Sequence, residues 1–498
     1  MTLRLFNTLS GQLDELVPVD GKALRMYACG PTVYDYGHIG NFRTFLQIDV
    51  LRRFLKLTGV PIRHVMNITD VDDKIIRNAA ERDLAISAYT AQFVEAFFED
   101  LDALGVERPE IIARATEHIP KMVELVQKLA GAGAAYQTEE GSWYFRLSAF
   151  PEYGKLSKKD LSGIEDGARV DVDEYEKDSA RDFALWKAAK PGETSWETGI
   201  GRGRPGWHIE CSAMAMEFLG ESFDLHAGGE DLMFPHHENE IAQSESVTHK
   251  PFARHWMHVR FLLVDGRKMS KSEGNFYTLR DLLLKGYKAS AIRLALISVP
   301  YRHQLNFTFE GLTEATNAID RLRTFHQRLI SGTFVARPNP GSAYCSPMQT
   351  AATKAHADFL AALADDLNTA DARAPIFELV RAANTAMDRG QLFTEDRDAI
   401  LKVLAGFDAV FAVVEDRDAE PTRRALAWAE KAGRMSDVAP QLLARDELDD
   451  AQIEALVQKR QLAKKQRNFA QADQIRNELA AKGVVIEDSK DGVRWKRK

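Results

Sequence analysis

Two cysteines and one short run of histidine and glutamate carry the side chains of this sequence that are best suited to holding a metal ion. Cys29 ends an apolar stretch, Cys211 lies in "WHIECSAMAM", and "PHHENE" supplies His236 and Glu240. Because Pro235 suits the first turn of a helix, the run after it is predicted to be helical, with His236 and Glu240 one turn apart on a shared face. Two thiolates, an imidazole and a carboxylate are ligand types of zinc sites.

Spacing alone does not fix that ligand set. The sequence has no CxxC pair, and for scattered ligands of this kind the more common arrangement is two buried apolar cysteines beside a solvated helix start. His208, His226 and His237 offer further imidazole groups. On the residues alone, the metal site therefore remains one of two interpretations.

Two further segments carry groups that suit phosphate and ribose. "DGRKMSKSEGN" follows a strand-like run and places Lys268 and Lys271 in a loop, where they could hold charge that develops on a leaving group. "HAGGED" predicts a Gly-Gly turn after a strand, with Asp231 placed to accept from ribose hydroxyls. Taken singly, either segment could also be an ordinary solvated loop or turn.

A strand-to-helix crossing is predicted to position Cys29. The strand-like run 25–29 is followed by "GPTVYDYGHIGN" and then by a long apolar pattern of period 3.6. In an open α/β sheet, ligands bind at the carboxyl ends of strands, where a helix N-terminus offers free N–H groups to phosphate. His38 and Gly40 would stand at this N-terminus, with Cys29 at the strand tip beside them.

The bulk properties are those of a globular protein. The chain has 498 residues, 45% of them hydrophobic and 28% charged, a length that predicts about two to four domains. A net charge of −8 argues against a protein that coats DNA, so we expect no DNA partner. We expect no membrane association and a cytoplasmic location, because neither a transmembrane run nor a signal-peptide pattern is visible. Three cysteines, at 29, 211 and 345, form no disulfide framework and suit a reducing compartment.

The order of patterns predicts an α/β fold, with a doubly wound Rossmann-type catalytic domain that contains an insertion and is followed by a helical bundle and a small C-terminal domain. The insertion is predicted to contain a helix over 119–130 and a hairpin at "GSWYFRLS". The predicted segments are 1–115 (first half of the catalytic domain), 116–200 (inserted connective segment), 201–280 (second half), 281–445 (helical bundle with a Pro/Gly/Ser linker at 337–347) and 446–498 (basic C-terminal domain).

The end of the chain is basic. Residues 459–498 contain 12 Lys and Arg against 5 Asp and Glu, on a chain whose net charge is −8. "IEALVQKRQLAKK" and "FAQADQIRNEL" predict two amphipathic helices, and "GVVIED" with "GVRWKRK" predicts a small hairpin. A basic face near Trp495 suits an RNA loop whose bases stack on an aromatic ring, although basic helical ends are also common as solvated surface.

Taken together, the motifs resemble a known family. "HIGN" (38–41) and "KMSKS" (268–272) resemble the two signature motifs of class I aminoacyl-tRNA synthetases. Within that class, "CGPTVYDYGHIGN", "NITDVDDKI", "RPGWHIECSAM" and "DLMFPHHENEIAQS" closely resemble the cysteinyl-tRNA synthetases, over essentially the whole chain. Asn41 departs from the general class I motif, which has a second histidine there; Asn41 can still donate to a phosphate oxygen but cannot carry charge.

The resemblance implies the site residues. It implies one Zn²⁺ per chain bound by Cys29, Cys211, His236 and Glu240, and a cysteine pocket that includes Cys29, Thr69 and Trp207. It also implies a catalytic set of His38, Lys268 and Lys271. For ATP, which would bind together with Mg²⁺, the implied residues are His38, Gly40, Asn41, Gly229, Asp231, Lys268 and Lys271.

The resemblance also implies an activity: L-cysteine is activated by ATP, pyrophosphate is released, and cysteine is transferred to the 3′ end of tRNA(Cys) by a protein that we expect to be a monomer. The C-terminal domain would then bind the anticodon. Zinc would favour a thiolate over the neutral hydroxyl of serine, and the insertion is too short for a separate editing domain.

Two alternatives are a ligase that delivers cysteine to a small amine, as in the mycothiol-pathway relative, and a non-catalytic tRNA-binding paralogue. The long C-terminal extension argues against the first. The retained ligand set together with Lys268 and Lys271 argues against the second.

Overall fold

The computed structural model describes residues 2–159, 182–336, 346–443, 450–489 and 492–497. Cys345, most of the predicted Pro/Gly/Ser linker and part of the predicted insertion lie outside these residues. Among the described helices, none has the length and apolar character that crossing a membrane requires.

Strands are distributed along the whole chain. In chain order they are β1 (Arg4–Asn7), β2 (Gln12–Glu15), β3 (Leu24–Ala28), β4 (Ile62–Ile68), β5 (Ile111–Arg114), β6 (Ala135–Gln137), β7 (Trp143–Phe145), β8 (Phe183–Ala188), β9 (Gly203–Pro205), β10 (Phe223–Gly229), β11 (Ala253–Val259), β12 (Leu262–Val264), β13 (Arg267–Lys268), β14 (Leu305–Phe307), β15 (Val484–Ser489) and β16 (Gly492–Arg497).

Helices alternate with strands in the first 300 residues and dominate thereafter. They are α1 (Ile39–Leu57), α2 (Asp73–Ala80), α3 (Ile86–Ala103), α4 (Ile119–Gly131), α5 (Trp207–Leu219), α6 (Glu238–Thr248), α7 (Leu279–Leu284), α8 (Ala289–Leu296), α9 (Phe309–Ser331), α10 (Pro347–Ala364), α11 (Thr369–Asp388), α12 (Thr394–Phe411), α13 (Ala419–Lys431), α14 (Pro440–Leu443), α15 (Asp450–Lys465) and α16 (Phe469–Ala481).

A parallel five-stranded sheet positions the candidate site. Its strand order is β11-β10-β3-β4-β5, so the chain runs outward from β3 through β4 to β5 and later returns to the other side of β3 with β10 and β11. This reversal beside β3 is the point at which doubly wound sheets bind ligands. β3 and β10 are almost completely buried, as expected for strands that are covered on both faces. The predicted Rossmann-type architecture is confirmed.

The helix that follows β3 is anchored from within the protein. Arg293 of α8 donates to Asp49 of α1 at 2.6 Å, and its guanidinium also donates to the carbonyl of Phe411 at the end of α12. Arg293 and Asp49 are both buried. Buried charges of this kind persist only when they are paired and hydrogen-bonded, so this contact ties α1 to the helical region behind it.

The insertion forms an antiparallel sheet in the order β6-β7-β8-β9. The predicted helix at 119–130 is confirmed as α4. A hairpin is present, but it pairs β7 with β6, which precedes the segment "GSWYFRLS" to which the hairpin was assigned. The last strand, β9, lies beyond the predicted end of the insertion at residue 200.

The described chain forms two compact units, residues 1–279 with 290–417 and residues 280–289 with 418–498. The first holds the parallel sheet, the insertion and α9 to α12. The second holds α13 to α16 and the β15–β16 hairpin. This division differs from the five predicted segments, whose boundaries remain a prediction.

The second unit contains the two helices and the hairpin predicted for the end of the chain, as α15, α16 and the antiparallel pair β15–β16. Trp495 is half-buried against the small apolar core of this unit, and its Nε1 donates to Glu454 at 2.9 Å. Trp495 therefore packs against this core, a role that the predicted contribution to RNA base stacking did not include. That core is formed by Ile453, Val457, Ile475, Leu479, Val484 and Ile486.

Candidate functional site

Four buried side chains from three parts of the chain meet beside the carboxyl end of β3. One ligand atom each from Cys29, Cys211, His236 and Glu240 lies within 4.8 Å of the other three. The two Sγ atoms are 3.9 Å apart, and His236 Nε2 lies 3.0 Å from Glu240 Oε1. The predicted ligand set is therefore brought together in space, with the donor types that zinc prefers.

Each ligand is held by a different element. Cys29 directly follows β3, Cys211 lies on α5, and Glu240 lies in the first turn of α6. His236 lies in a kinked helical turn, Met233–His237, so α6 itself begins at Glu238 rather than at the predicted Pro235. The kink still leaves His236 beside Glu240, because the chain is helical again from the end of this turn onward.

Two other histidines orient these ligands. His208 Nδ1 and His236 Nδ1 are 2.9 Å apart, so a proton on His236 Nδ1 leaves Nε2 free as a metal ligand. His226 Nε2 lies 2.9 Å from Glu240 Oε2, and this contact leaves Oε1 facing the other ligands. Partners that fix the tautomer and the orientation of metal ligands are typical of metal sites.

A second set of four groups, Cys29, His226, His237 and Glu240, is equally compact. Two of its members are engaged differently. His226 Nε2 already pairs with Glu240, and His237 Nε2 lies 3.4 Å from Cys29 Sγ, where it can donate to the thiolate. His237 Nδ1 in turn pairs with His258 Nε2 at 2.8 Å. In both histidines Nε2 is therefore occupied by a contact with a member of the first set, Glu240 for His226 and Cys29 for His237.

The ionisable groups of the cluster shift one another's pKa values. Burial and the neighbouring Cys211 raise the pKa of Cys29. Burial also raises the pKa of Cys211, but the Cys29 thiol and the charge of His236 outweigh it and bring the pKa to about 6. Burial lowers the pKa of His236 while Glu240 and Cys211 raise it, to about 10. For Glu240, burial raises the pKa and His226 with His236 lowers it, to about 2. The cluster thus holds cationic charge in the form of protons, and metal binding would displace these protons.

The predicted cysteine-pocket residues lie next to this cluster. The ring of Trp207 stacks on His236 with centroids 4.4 Å apart, and Trp207 is 39% exposed, so this side of the cluster faces the surface. Thr69 directly follows β4 and is buried. Its hydroxyl donates to Glu210 at 2.9 Å and accepts from Asn67 at 3.1 Å.

Sequence reasoning missed Asn67, Glu210 and Asp35. Asn67 and Glu210 carry a signal that could have found them, because each is a polar residue inside an otherwise apolar stretch, "HVMNI" and "WHIECSAM". Asp35 carries no comparable signal, since an acidic residue in a loop is ordinary.

His38 caps α1 with its own ring. Its Nδ1 accepts from the backbone N–H groups of Gly40 and Asn41 at 3.1 and 3.2 Å, and the Asn41 side chain accepts from the His38 N–H. A Cβ at position 40 would lie 2.9 Å from His38 Nδ1, so only glycine fits under the ring.

The expectation of free N–H groups at this helix start is wrong. The His38 ring binds two of these N–H groups. In addition, the N–H of Ile39 donates to the backbone carbonyl of Tyr277 at 3.0 Å, and that of Phe42 donates to the His38 carbonyl. Because Nδ1 is the acceptor, the neutral His38 ring carries its proton on Nε2. Burial lowers the pKa of His38, Asp231 raises it and Lys271 lowers it, with a net downward shift that favours this neutral form. Two side-chain donors, His38 Nε2–H and the Asn41 amide, also lie at this helix start.

The "KMSKS" loop lies against the same crossing. Lys271 Nζ pairs with Asp35 Oδ2 at 2.6 Å, and the Phe276 ring packs edge-on against His38. Lys268 lies on β13, and its carbonyl accepts from Asn275 at 3.1 Å within the loop. The structure therefore brings Lys271 to the residues that lead into His38.

The "HAGGED" segment differs locally from its prediction. Gly228 and Gly229 are the last residues of β10 rather than a turn after it. A Cβ on Gly229 would lie 2.4 Å from Asp231 Oδ1 and 3.8 Å from Thr44 Oγ1, so the carboxylate of Asp231 folds back over the strand end towards α1. The influence of Asp231 on the pKa of His38 places both groups in one electrostatic environment.

Comparison with known proteins gives matches along most of the chain. Residues 15–317 match the family described as "tRNA synthetases class I (C) catalytic domain", residues 358–414 match the "DALR domain", and residues 446–495 match the "Cysteinyl-tRNA ligase anticodon binding domain". The chain is 55% identical to a cysteine–tRNA ligase of Koribacter versatilis and 53% identical to one of Solibacter usitatus, in both cases over 100% of each chain. It is 43% identical to that of Leptospira interrogans over 100% of this chain and 99% of the relative.

Solved structures show the same fold at low sequence identity. Methionyl-tRNA synthetase of Mycobacterium tuberculosis in complex with methionyl-adenylate aligns with a TM-score of 0.56 and 15% identity. The alignment covers 84% of this chain and 94% of that chain.

The cap at His38 predicts a specific difference between two variants. His38→Ala is expected to lower the free energy of unfolding by about 0.5–2 kcal/mol more than His38→Asn, because asparagine is itself a strong N-cap. Both substitutions remove the contact with Phe276, so the difference between them isolates the cap. Urea unfolding of both variants measures it, and equal losses would contradict the capping role.

Proposed function

This chain belongs to the cysteine–tRNA ligases, and from that premise we propose that its thiol–imidazole–carboxylate cluster selects the amino acid by binding one zinc ion. As a class I aminoacyl-tRNA synthetase of this family, the enzyme activates cysteine with ATP, releases pyrophosphate and transfers cysteine to a tRNA. The observation that carries the zinc proposal is the approach of four ligand atoms to within 4.8 Å of one another. Neither a small-amine ligase nor a non-catalytic paralogue is favoured over this function.

A zinc ion would let the enzyme distinguish cysteine from serine. Serine differs from cysteine by one atom, and pocket shape alone discriminates so small a difference by only about 10–200-fold. When bound, zinc would hold the thiolate of the substrate, whereas the hydroxyl of serine would stay neutral and bind poorly. Trp207, exposed beside His236, marks the side from which the substrate would approach.

Four protein ligands fill a tetrahedral site, so a substrate thiolate needs a fifth position or the loosening of one ligand. We propose Glu240 as the ligand that loosens. Its Oε2 already has His226 as a partner at 2.9 Å, so the carboxylate would keep a hydrogen bond after it leaves the metal.

The activation step needs charge stabilisation more than proton transfer, because the attacking carboxylate of cysteine is already ionised. His38 Nε2–H and the amide of Asn41 would donate to phosphate oxygens of ATP. Lys271, and Lys268 beside it, would hold the charge that grows on pyrophosphate, together with Mg²⁺. Asp231, beside Gly229, would accept from the ribose.

The tRNA substrate is proposed to be tRNA(Cys), with its anticodon read by the basic C-terminal segment. The match of residues 446–495 to an anticodon-binding domain supports this assignment. We further propose a monomer that works in the cytoplasm.

Cysteine-dependent ATP–pyrophosphate exchange, measured with and without tRNA(Cys), tests the function as a whole. Exchange that required a small amine as acceptor, or its complete absence, would contradict it.

Cys211→Ser is expected to lose the metal and cysteine activation together, because it removes one thiolate from the buried set. Metal analysis and pyrophosphate exchange on the same preparation measure both. Cys345→Ser, which removes the cysteine that is not among the four proposed ligands, is the matched control and should keep full zinc and activity. Full zinc in the Cys211→Ser protein, or full activity without metal, would refute the proposed site.

Lys271→Ala is expected to slow adenylate formation by about 10²–10³-fold while leaving the affinity for cysteine nearly unchanged. Its charge partner appears mainly in the transition state, and this loss is typical of removing one preorganised donor. Lys250→Ala is the matched control, since Lys250 is also exposed and paired with an acid, Glu221. Single-turnover kinetics measure the effect, and a change confined to KM would rule out the proposed role.

Removal of residues from about 449 onward is expected to leave pyrophosphate exchange nearly intact and to reduce tRNA charging severely. The proposed activation residues all precede residue 280, and the removed segment has its own apolar core. A full-length double variant, Lys459→Ala with Lys465→Ala, tests the same segment without removing it, because it takes away only two exposed charges. Its slope of log affinity against log salt should be shallower by about 0.7–0.9 for each phosphate that the variant no longer neutralises. Equal charging by truncated and intact protein would argue against anticodon binding here.

A further inference from the structure

We propose that Glu210 acts through Thr69 to position the α-ammonium group of the substrate cysteine. This inference rests on the proposed function, since it takes the substrate thiol to lie at the metal cluster. Glu210 is a positioning residue in this scheme, and the hydroxyl oxygen of Thr69 is the group that touches the substrate.

A continuous hydrogen-bonded path runs through these residues. The backbone N–H of Gly30 donates to Asn67 Oδ1 at 2.8 Å, and Asn67 Nδ2 donates to Thr69 Oγ1 at 3.1 Å. Thr69 Oγ1 then donates to Glu210 Oε2 at 2.9 Å. Asn67, Thr69 and Glu210 are all buried, so these partners are not exchanged freely for water.

The path begins and ends beside the two thiols. Gly30 directly follows Cys29, and Glu210 directly precedes Cys211. The Sγ atoms of these cysteines lie 3.9 Å apart, which closes the path into a ring. Asn67 and Glu210 thus link Thr69 to the two chain segments that carry the thiols, where a substrate sulfur at the cluster would bring the rest of the substrate.

The bonding capacity of Thr69 determines what the hydroxyl can do for a ligand. A hydroxyl has one proton and two lone pairs. The proton is directed to Glu210 and one lone pair accepts from Asn67, so what remains is a single lone pair. In this arrangement Thr69 offers a ligand an acceptor and keeps its proton for Glu210, which suits an ammonium group better than a carboxylate.

The backbone places Thr69 between the two halves of the site. Its N–H donates to the Pro31 carbonyl and its carbonyl accepts from the Val33 N–H, both at 3.1 Å. Pro31 and Val33 lie on the segment that leads from Cys29 to His38. In a cysteine whose thiol is at the cluster and whose carboxylate faces the phosphates, the ammonium group falls between these ends, beside Thr69.

Neighbouring acids are committed elsewhere. Asp70 accepts from both the backbone N–H and the hydroxyl of Thr116, at 2.9 and 2.8 Å. Asp72 caps α2 by accepting from the Ile75 N–H at 2.7 Å. Among these three buried or part-buried acids, Glu210 is the one whose hydrogen bond goes to a pocket residue.

The test compares two ligands that differ only in the ammonium group. L-Cysteine and 3-mercaptopropionate share the thiol and the carboxylate, and both are expected to bind zinc-loaded enzyme through the thiol at the cluster. KM for cysteine and the inhibition constant of 3-mercaptopropionate are measured in pyrophosphate exchange, with zinc content determined for every variant.

Glu210→Met removes the acceptor for the Thr69 proton, and Thr69→Val removes the hydroxyl at constant shape. Each is expected to weaken cysteine binding by about 10- to 100-fold, the value of a hydrogen bond to a charged group. The inhibition constant of 3-mercaptopropionate should change less than about twofold. Glu210→Gln, which can still accept the Thr69 proton, should restore most of the affinity. Glu217→Gln, at an exposed position of the same helix α5, is the matched control and should match the native enzyme.

A loss that is equal for both ligands in Glu210→Met and Thr69→Val would overturn the proposal, because it would make the ring purely structural. Unchanged cysteine binding in Thr69→Val would overturn it as well. A native enzyme without zinc, or without cysteine-dependent exchange, would instead refute the proposed function itself.

Discussion

The parallel pairing of β3 with β10 on one side and β4 on the other is the constraint on which the site depends. Because parallel strands end at the same edge of the sheet, this pairing brings Cys29, Thr69 and the glycines of β10 to one rim. The helix that leaves β3 then starts at that rim with His38. A change in the order of these strands would separate the metal cluster from the nucleotide residues, even with every side chain retained.

Histidine side chains hydrogen-bond the ionisable groups that are buried at that rim and so stabilise them there. His208, His226 and His237 each pair with a residue of the cluster. An unpaired carboxylate or thiolate at this depth would be costly, and hydrogen bonds to these histidines reduce that cost. The same histidines would orient the ligands once a dication replaces the protons.

The start of α1, where ATP is proposed to bind, differs from the metal cluster because its backbone N–H groups already have hydrogen-bond acceptors. The His38 ring and the carbonyl of Tyr277 accept from N–H groups at the start of α1, so binding of a phosphate there would depend on side chains. Lys271 is held near His38 by an exposed ion pair with Asp35. Exposed pairs contribute only about 0–1 kcal/mol, so this contact would hold Lys271 near His38 without preventing its movement to a phosphate group under the proposed function.

The sequence by itself determined the fold class, the strand-to-helix crossing, the C-terminal helices and hairpin, and the ligand types, because periodicity, punctuation and residue chemistry are local properties. Only the tertiary structure decided how groups distant in sequence combine. His226 and His237 became partners of the ligands, Trp495 joined an apolar core, and the helix N–H groups proved to be occupied. Asn67 and Glu210 stand out in the sequence as polar residues in apolar stretches, but the contact of Glu210 with Thr69 appears only in the structure, because a hydrogen bond between residues 141 positions apart leaves no periodic trace.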